Sequence, residues 1–233
     1  MATILNIETS SSVCSVALTS DGTVLEHHEN SDGQQHAVLL APYVESLLKY
    51  VRTRELTLDA VAVSVGPGSY TGLRIGLSHA KGLAYGLKVP LIGVPTLKLI
   101  AVQAMFAHFF EDDNVVLVPM IDARRMEVYT AAYDMALNPV MDAQAMILDE
   151  HSLDALLEQH DRVVLAGDGA EKAMNVIKHP RAMFIGGIKP VAVDMMALAE
   201  KAYREGQFID VAYSTPLYLK EYQAGKPSKK VLQ

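Results

Sequence analysis

The chain opens on short apolar runs punctuated by turn signals. Residues 3–8 (TILNIE) and 13–19 (VCSVALT) are rich in β-branched and aliphatic side chains, and Ser20-Asp21-Gly22 joins the second run to a third strand over 23–29 with the Asp-Gly hairpin signal. The period then changes. Leu40, Val44, Leu47, Leu48 and Val51 recur at spacings of three and four, which predicts a helix over 36–51. The unbroken apolar run 60–65 predicts a buried strand, and the glycine-rich GPGSYTG at 66–72 opens a helix over 71–86. Strand 90–94 and helix 96–109 follow. The same order then returns, as strands 115–121, 126–134 and 140–147, helix 152–159, strand 162–166, helix 169–177, strand 182–185 and helix 191–204.

Each half thus reads β-β-β-α-β-α-β-α, without residue-level identity between the halves. Strands alternating with helices predict an α/β protein of mixed sheets with helices on their faces. A duplicated unit of this kind is the layout of the actin/hexokinase/Hsp70-like (ASKHA) fold. The expected lobes are 1–110 and 111–223, with 224–233 as a flexible basic tail.

Composition narrows the function. A formal net charge of −7 argues against a generic nucleic-acid binder, which needs a basic face to replace phosphate counterions. The one basic cluster is terminal: Lys220, Lys226, Lys229 and Lys230, opposed by Glu221. It reads either as a solvated tail or as a contact for RNA or an acidic partner. Cys14 is the only cysteine, the start MATILNIETSSS lacks the regions of a signal peptide, and no stretch approaches the ~20 apolar residues of a membrane span. The expectation is a cytoplasmic chain without membrane contact. The eight histidines form no His-x-x-x-His pair, and neither Cys-x-x-Cys nor Gly-x-Ser-x-Gly occurs, so no metal site and no catalytic residue is predicted.

Three loops carry candidate phosphate-binding chemistry, each with a plainer alternative. Glu8, Thr9 and Ser10 stand in the first turn, where backbone amides can form an anion nest or hydroxyls can simply stabilise a hairpin. Gly68 belongs to the junction before helix 71–86, where a phosphate could sit at the helix start or Ser69 or Thr71 could cap it. Gly167, Asp168 and Gly169 are the second half's counterpart, either a phosphate loop or a tight strand-to-helix turn. The turn residues Asp122, Arg124 and Arg125 are a functional patch or solvated charges. Within helix 71–86, Gly72, Gly76, Ala80 and Ala84 recur every four residues. Helix glycine costs about 1 kcal/mol against alanine, so this smooth ridge predicts close approach of another backbone, the chain's own or a partner's.

The start ILNIETSS-CSVAL, the block VSVGPGSYTGLRIGLSHAKGLAYGLKVPLIGVPTL, the turn IDARRMEVY and the end TPLYLK together resemble the TsaB (YeaZ) family over nearly the whole chain. The resemblance implies a non-catalytic scaffold that pairs with TsaD, joins TsaE in a larger complex, and serves threonylcarbamoyl transfer to adenosine beside the anticodon of ANN-decoding tRNAs, reaching tRNA indirectly. It implies pairing through the first lobe, here by Leu40, Val44 and Leu47 of one helix and Gly72, Leu73, Gly76 and Ala80 of the next, and a homodimer on that surface when TsaD is absent. TsaD-like proteins carry a histidine metal motif after the next short strand. This chain reads Gly93-Val94-Pro95-Thr96-Leu97-Lys98-Leu99 there, so their chemistry is not carried over. ATP or ADP is expected to bind weakly, or only in the complex. The alternatives are a stand-alone ATP-dependent enzyme of the actin fold, for which Asp168 is the one cleft-facing candidate, a glycoprotease-like peptidase, or a self-associating structural protein.

Overall fold

The computed structural model describes residues 2–33 and 35–220. Its centre is the apolar run β1 (Thr3–Glu8), buried at every position. It pairs antiparallel with β2 (Cys14–Ser20), which sets Glu8 opposite Ser15, and parallel with β4 (Ala60–Gly66). With β3 (Thr23–Asn30) and β5 (Leu91–Pro95) these form a sheet of order β3-β2-β1-β4-β5. The Asp-Gly signal is realised at the β2–β3 turn, where Asp21 and Gly22 have φ of 49° and 71°. The second sheet, from β6 (Val115–Asp122), β7 (Glu127–Asp134), β8 (Pro139–Ile147), β9 (Arg162–Ala166) and β10 (Ala182–Ile185), runs β8-β7-β6-β9-β10. The two orders are the same, so the duplication read from the sequence is real at the level of topology.

Two helices cover the outer face of each sheet. On the first, α1 (His36–Thr53) and α2 (Tyr70–Leu87) bury Leu40, Val44, Leu47, Leu77 and Ala80 against Leu5, Ile7, Val16, Val61 and Val63. On the second, α4 (Asp154–Gln159) and α5 (Ala170–Val176) supply Leu156, Leu157 and Ala173. α4 starts two residues later than its apolar pattern predicts. The Ser152 hydroxyl donates to Asp149 at 2.7 Å and ties residues 149–152 into a turn instead.

The inner faces are covered crosswise. α3 (Thr96–Ala107) belongs to the first half, yet Leu97, Ile100, Ala101 and Ala104 pack on Val115, Leu117 and Val164 of the second sheet. The last predicted helix resolves into a 3-10 turn, Ala192–Met195, and α6 (Met196–Arg204). Ala192, Met195 and Ala199 pack on Ile4, Ala62 and Ile92 of the first sheet. A division at residue 110 therefore separates the sheets but not the cores. The tail 224–233 lies outside the described residues.

From α6 the chain returns as a strap. Ile209 pairs with Leu91, Lys81 Nζ donates to the Ala212 carbonyl at 3.0 Å, and the Leu217 amide donates to Val65 at 2.7 Å. Lys220 then pairs with Glu127 of the second lobe, so the strap spans both lobes.

Candidate functional site

The lobes enclose a cleft of about 790 Å³ at the carboxyl ends of β1, β4 and β6. Ser10–Ser12, Pro67–Thr71, Thr96, Asp122–Arg124, Asp168, Lys189 and the strap residues Leu217–Lys220 line it. Ligands in open α/β sheets sit at this end of the strands.

The three loops predicted for phosphate do meet here, and their hydrogen bonds show what they do. The Ser10 carbonyl accepts the Ser69 amide at 2.6 Å, and the Ser69 hydroxyl caps α2 by accepting the Gly72 amide at 3.2 Å. The Thr9 hydroxyl donates to the Gly72 carbonyl at 2.8 Å. A side chain at Gly68 would collide with the Ser10 backbone, so this glycine lets the junction lie flat on the first turn. Across the cleft, the Gly169 amide donates to the Met120 carbonyl at 3.1 Å, and a side chain at Gly167 would collide with that carbonyl. The capping and tight-turn readings are thus realised, and the amides of Ser10, Ser69, Gly72 and Gly169 all have protein acceptors.

Asp168 faces the cleft, but its carboxylate accepts the Asp122 amide at 2.9 Å and so ties the two turns of the second lobe together. Burial pushes its pKa up, and the neighbouring Asp122 charge adds to that. Asp122 itself is held below the usual carboxylate range. Burial works against ionisation there, but bonds from Lys172 at 2.7 Å and the Arg124 amide at 2.6 Å outweigh it.

Glu8 is the anomaly. It is fully buried, and Oε1 accepts the Ser10 amide, while Oε2 has no hydrogen-bond partner among the described residues. The buried Thr96 hydroxyl also lacks a partner among the described residues, and the buried hydroxyls of Ser10 and Ser64 lie against the Glu8 carboxyl without forming a well-aligned hydrogen bond. Burial pushes the Glu8 pKa up, against weaker opposing contributions from Ser10, Ser64 and Thr9.

The residues predicted for partner contact require a correction. Leu40, Val44, Leu47, Gly72, Leu73, Gly76 and Ala80 are all buried inside the chain's own first lobe. The ridge is smooth because Thr9 lies on it: a side chain at Gly72 would collide with the Thr9 carbonyl, and one at Gly76 with the Thr9 hydroxyl. Gly82 and Gly86 of the same helix are different. Nothing lies within 4 Å of where their side chains would be. Their four-residue spacing was the available signal. Sequence reasoning also missed Tyr218 of the strap, whose hydroxyl accepts from Arg74 Nε at 3.0 Å while the Arg74 guanidinium stacks 4.0 Å over Tyr70.

Comparison with known proteins places these features. Residues 23–221 match the family model for TsaD, tRNA N6-adenosine threonylcarbamoyltransferase. The tRNA threonylcarbamoyladenosine biosynthesis protein TsaB of Escherichia coli is 32% identical over 228 residues, 96% of each chain. The protein of that name in Bacillus subtilis is 35% identical over 70% of this chain and 69% of its own. The solved structure of YeaZ from Pseudomonas aeruginosa superposes with a TM-score of 0.78 at 28% identity, covering 94% of this chain and all of that one. The chain therefore shares the fold of YeaZ and belongs to the TsaB (YeaZ) family of tRNA threonylcarbamoyladenosine biosynthesis proteins.

Proposed function

We propose that this chain is a non-catalytic, cytoplasmic subunit of tRNA threonylcarbamoyladenosine biosynthesis that pairs with TsaD through the outward side of α1 and α2. The observation that carries the pairing is the open pair Gly82 and Gly86 on α2. Two helix glycines without an internal neighbour cost stability that only a close-approaching partner helix would offset. Tyr85 of α2, 81% exposed, supplies an apolar anchor beside them. A second copy of the chain would use the same side when TsaD is absent, and TsaE would join the pair from elsewhere.

Two observations favour a scaffold over an enzyme. Thr96, not a histidine, follows β5, and it is buried. Four of the loop amides at the cleft, those of Ser10, Ser69, Gly72 and Gly169, already have protein acceptors. We expect the isolated chain to bind ATP or ADP weakly or not at all; a micromolar dissociation constant by equilibrium dialysis would overturn that expectation.

The pairing is tested with Gly82→Leu. In the isolated chain this change adds helix propensity in open space, so stability should rise by roughly 0.5–1 kcal/mol. Mixed with TsaD and run on size-exclusion chromatography with light scattering, the variant should lose about 2 kcal/mol or more of pairing energy, the scale of a blocked interface centre. A variant that still forms the heterodimer at wild-type affinity would remove this face from the interface.

A further inference from the structure

The β6–β7 hairpin ends in a conformation its residues disfavour. Arg124 and Arg125 are consecutive and have φ of 68° and 48°, in the left-handed region that glycine or asparagine enters at least cost. The β2–β3 hairpin of the first lobe meets the same demand with Asp21-Gly22. Backbone strain of this kind persists where something else is gained.

The charges around the tip indicate what is gained. Asp122 is engaged by Lys172 and Glu127 by Lys220, and the Asp168 carboxylate accepts the Asp122 amide. The guanidinium groups of Arg124 and Arg125 make no ion pair or hydrogen bond among the described residues, although Arg124 lies within Coulomb range of Asp122. The ammonium of Lys189, on the same cleft wall as Arg124, is also unpaired among them. Three cations, Arg124, Lys189 and Lys220, thus line the cleft with two carboxylates, Asp122 and Asp168, on a chain whose net charge is −7. Ser10 lines the cleft from the opposite lobe, with its hydroxyl buried toward the Glu8 carboxyl. Exposed, planar, always-charged donors at a turn tip are suited to phosphate oxygens.

We propose that the Arg124-Arg125 tip is a contact for the phosphodiester backbone of RNA, held in a strained turn that exposes both arginines beside the cleft that Arg124 lines. The RNA would be the tRNA on which the complex acts, so the inference rests on the subunit role above. It adds that this chain touches the nucleic acid directly.

The test uses the full chain in complex with TsaD. Heterodimer formation is measured first by light scattering, and tRNA binding by the same heterodimer is then followed by fluorescence anisotropy across a salt series. Arg124→Asn combined with Arg125→Gly should leave the heterodimer intact and weaken tRNA binding about tenfold at 0.1 M salt. The slope of log affinity against log salt should fall by about 2, one for each lost phosphate contact. The same variant should melt at a higher temperature than the wild type, because the turn is relieved. Arg124→Lys with Arg125→Lys keeps charge and backbone demand; it should retain most of the binding and gain no stability. Unchanged tRNA affinity and salt slope in an intact heterodimer would overturn the inference and leave the subunit role standing. Failure of the wild-type pair to form would instead count against the subunit role. A free-phosphate site would show as competition by millimolar inorganic phosphate at constant ionic strength, and that outcome would also overturn the RNA assignment.

Discussion

Gly76→Ala is expected to lose about 2–3 kcal/mol of folding stability, although alanine is the better helix former by about 1 kcal/mol. The new methyl group would enter the space of the Thr9 hydroxyl, which donates to the Gly72 carbonyl. Threonine is stiff about its first side-chain torsion, so the hydroxyl cannot step aside without losing that bond. Thr9→Ala removes the obstacle: what remains near the methyl is the residue 9 β-carbon at 3.4 Å, an ordinary contact. Thr9→Ala alone should cost about 1 kcal/mol for the lost bond, and adding Gly76→Ala to it should be neutral or stabilising. Urea denaturation of the four proteins in the cycle would measure a coupling of about 2–4 kcal/mol between these sites. Equal costs for Gly76→Ala in both backgrounds would mean that the ridge is smooth for some reason other than Thr9.

Glu8→Gln is the second large effect, and its sign depends on pH. Burial raises the Glu8 pKa in the folded chain above its ordinary 4.5, so the folded state holds the proton more tightly than the unfolded one. The stability this contributes is complete below about pH 4.5 and is lost as pH rises through the folded value. Glutamine keeps an oxygen for the Ser10 amide and cannot ionise. The variant should therefore be close to wild type in acid and more stable by about 1–3 kcal/mol at alkaline pH, the scale for a buried polar group relieved of an unmet demand. Thermal melts of both proteins between pH 4.5 and 9 would show it. Parallel curves over that range would mean that the carboxylate is compensated in a way the protein groups around it do not show.

Much of this architecture is legible in the sequence because periodicity reports burial directly. The stripe Leu40, Val44, Leu47 and Val51 fixed both the existence of α1 and its inward face. Periodicity does not say what covers a face, and the reading failed there. Gly72, Gly76 and Ala80 belong to the buried stripe of α2, whereas Gly82 and Gly86 belong to its open side; the two pairs of glycines look alike until Thr9 is placed against one of them. α3 carried a signal of another kind. It is apolar on nearly every side, with Leu97, Leu99, Ile100, Ala101 and Val102 all buried, as a helix between two layers must be. The strap left almost no trace, since its hold rests on isolated contacts such as Tyr218 with Arg74 and Lys220 with Glu127, which have no period to detect.

The crosswise cover of the two sheets bears on how such a duplicated chain can exist at all. Residues 1–110 alone would carry α3 with no second sheet to receive it, and would leave Ile4, Ala62 and Ile92 open to water where α6 now lies. A single half is therefore not a self-sufficient folding unit. Two copies of a half could satisfy each other, however, each lending its last helix to its twin as in a domain-swapped dimer. Within one chain the exchange is already made, so that each half supplies the helix that closes the other's inner face.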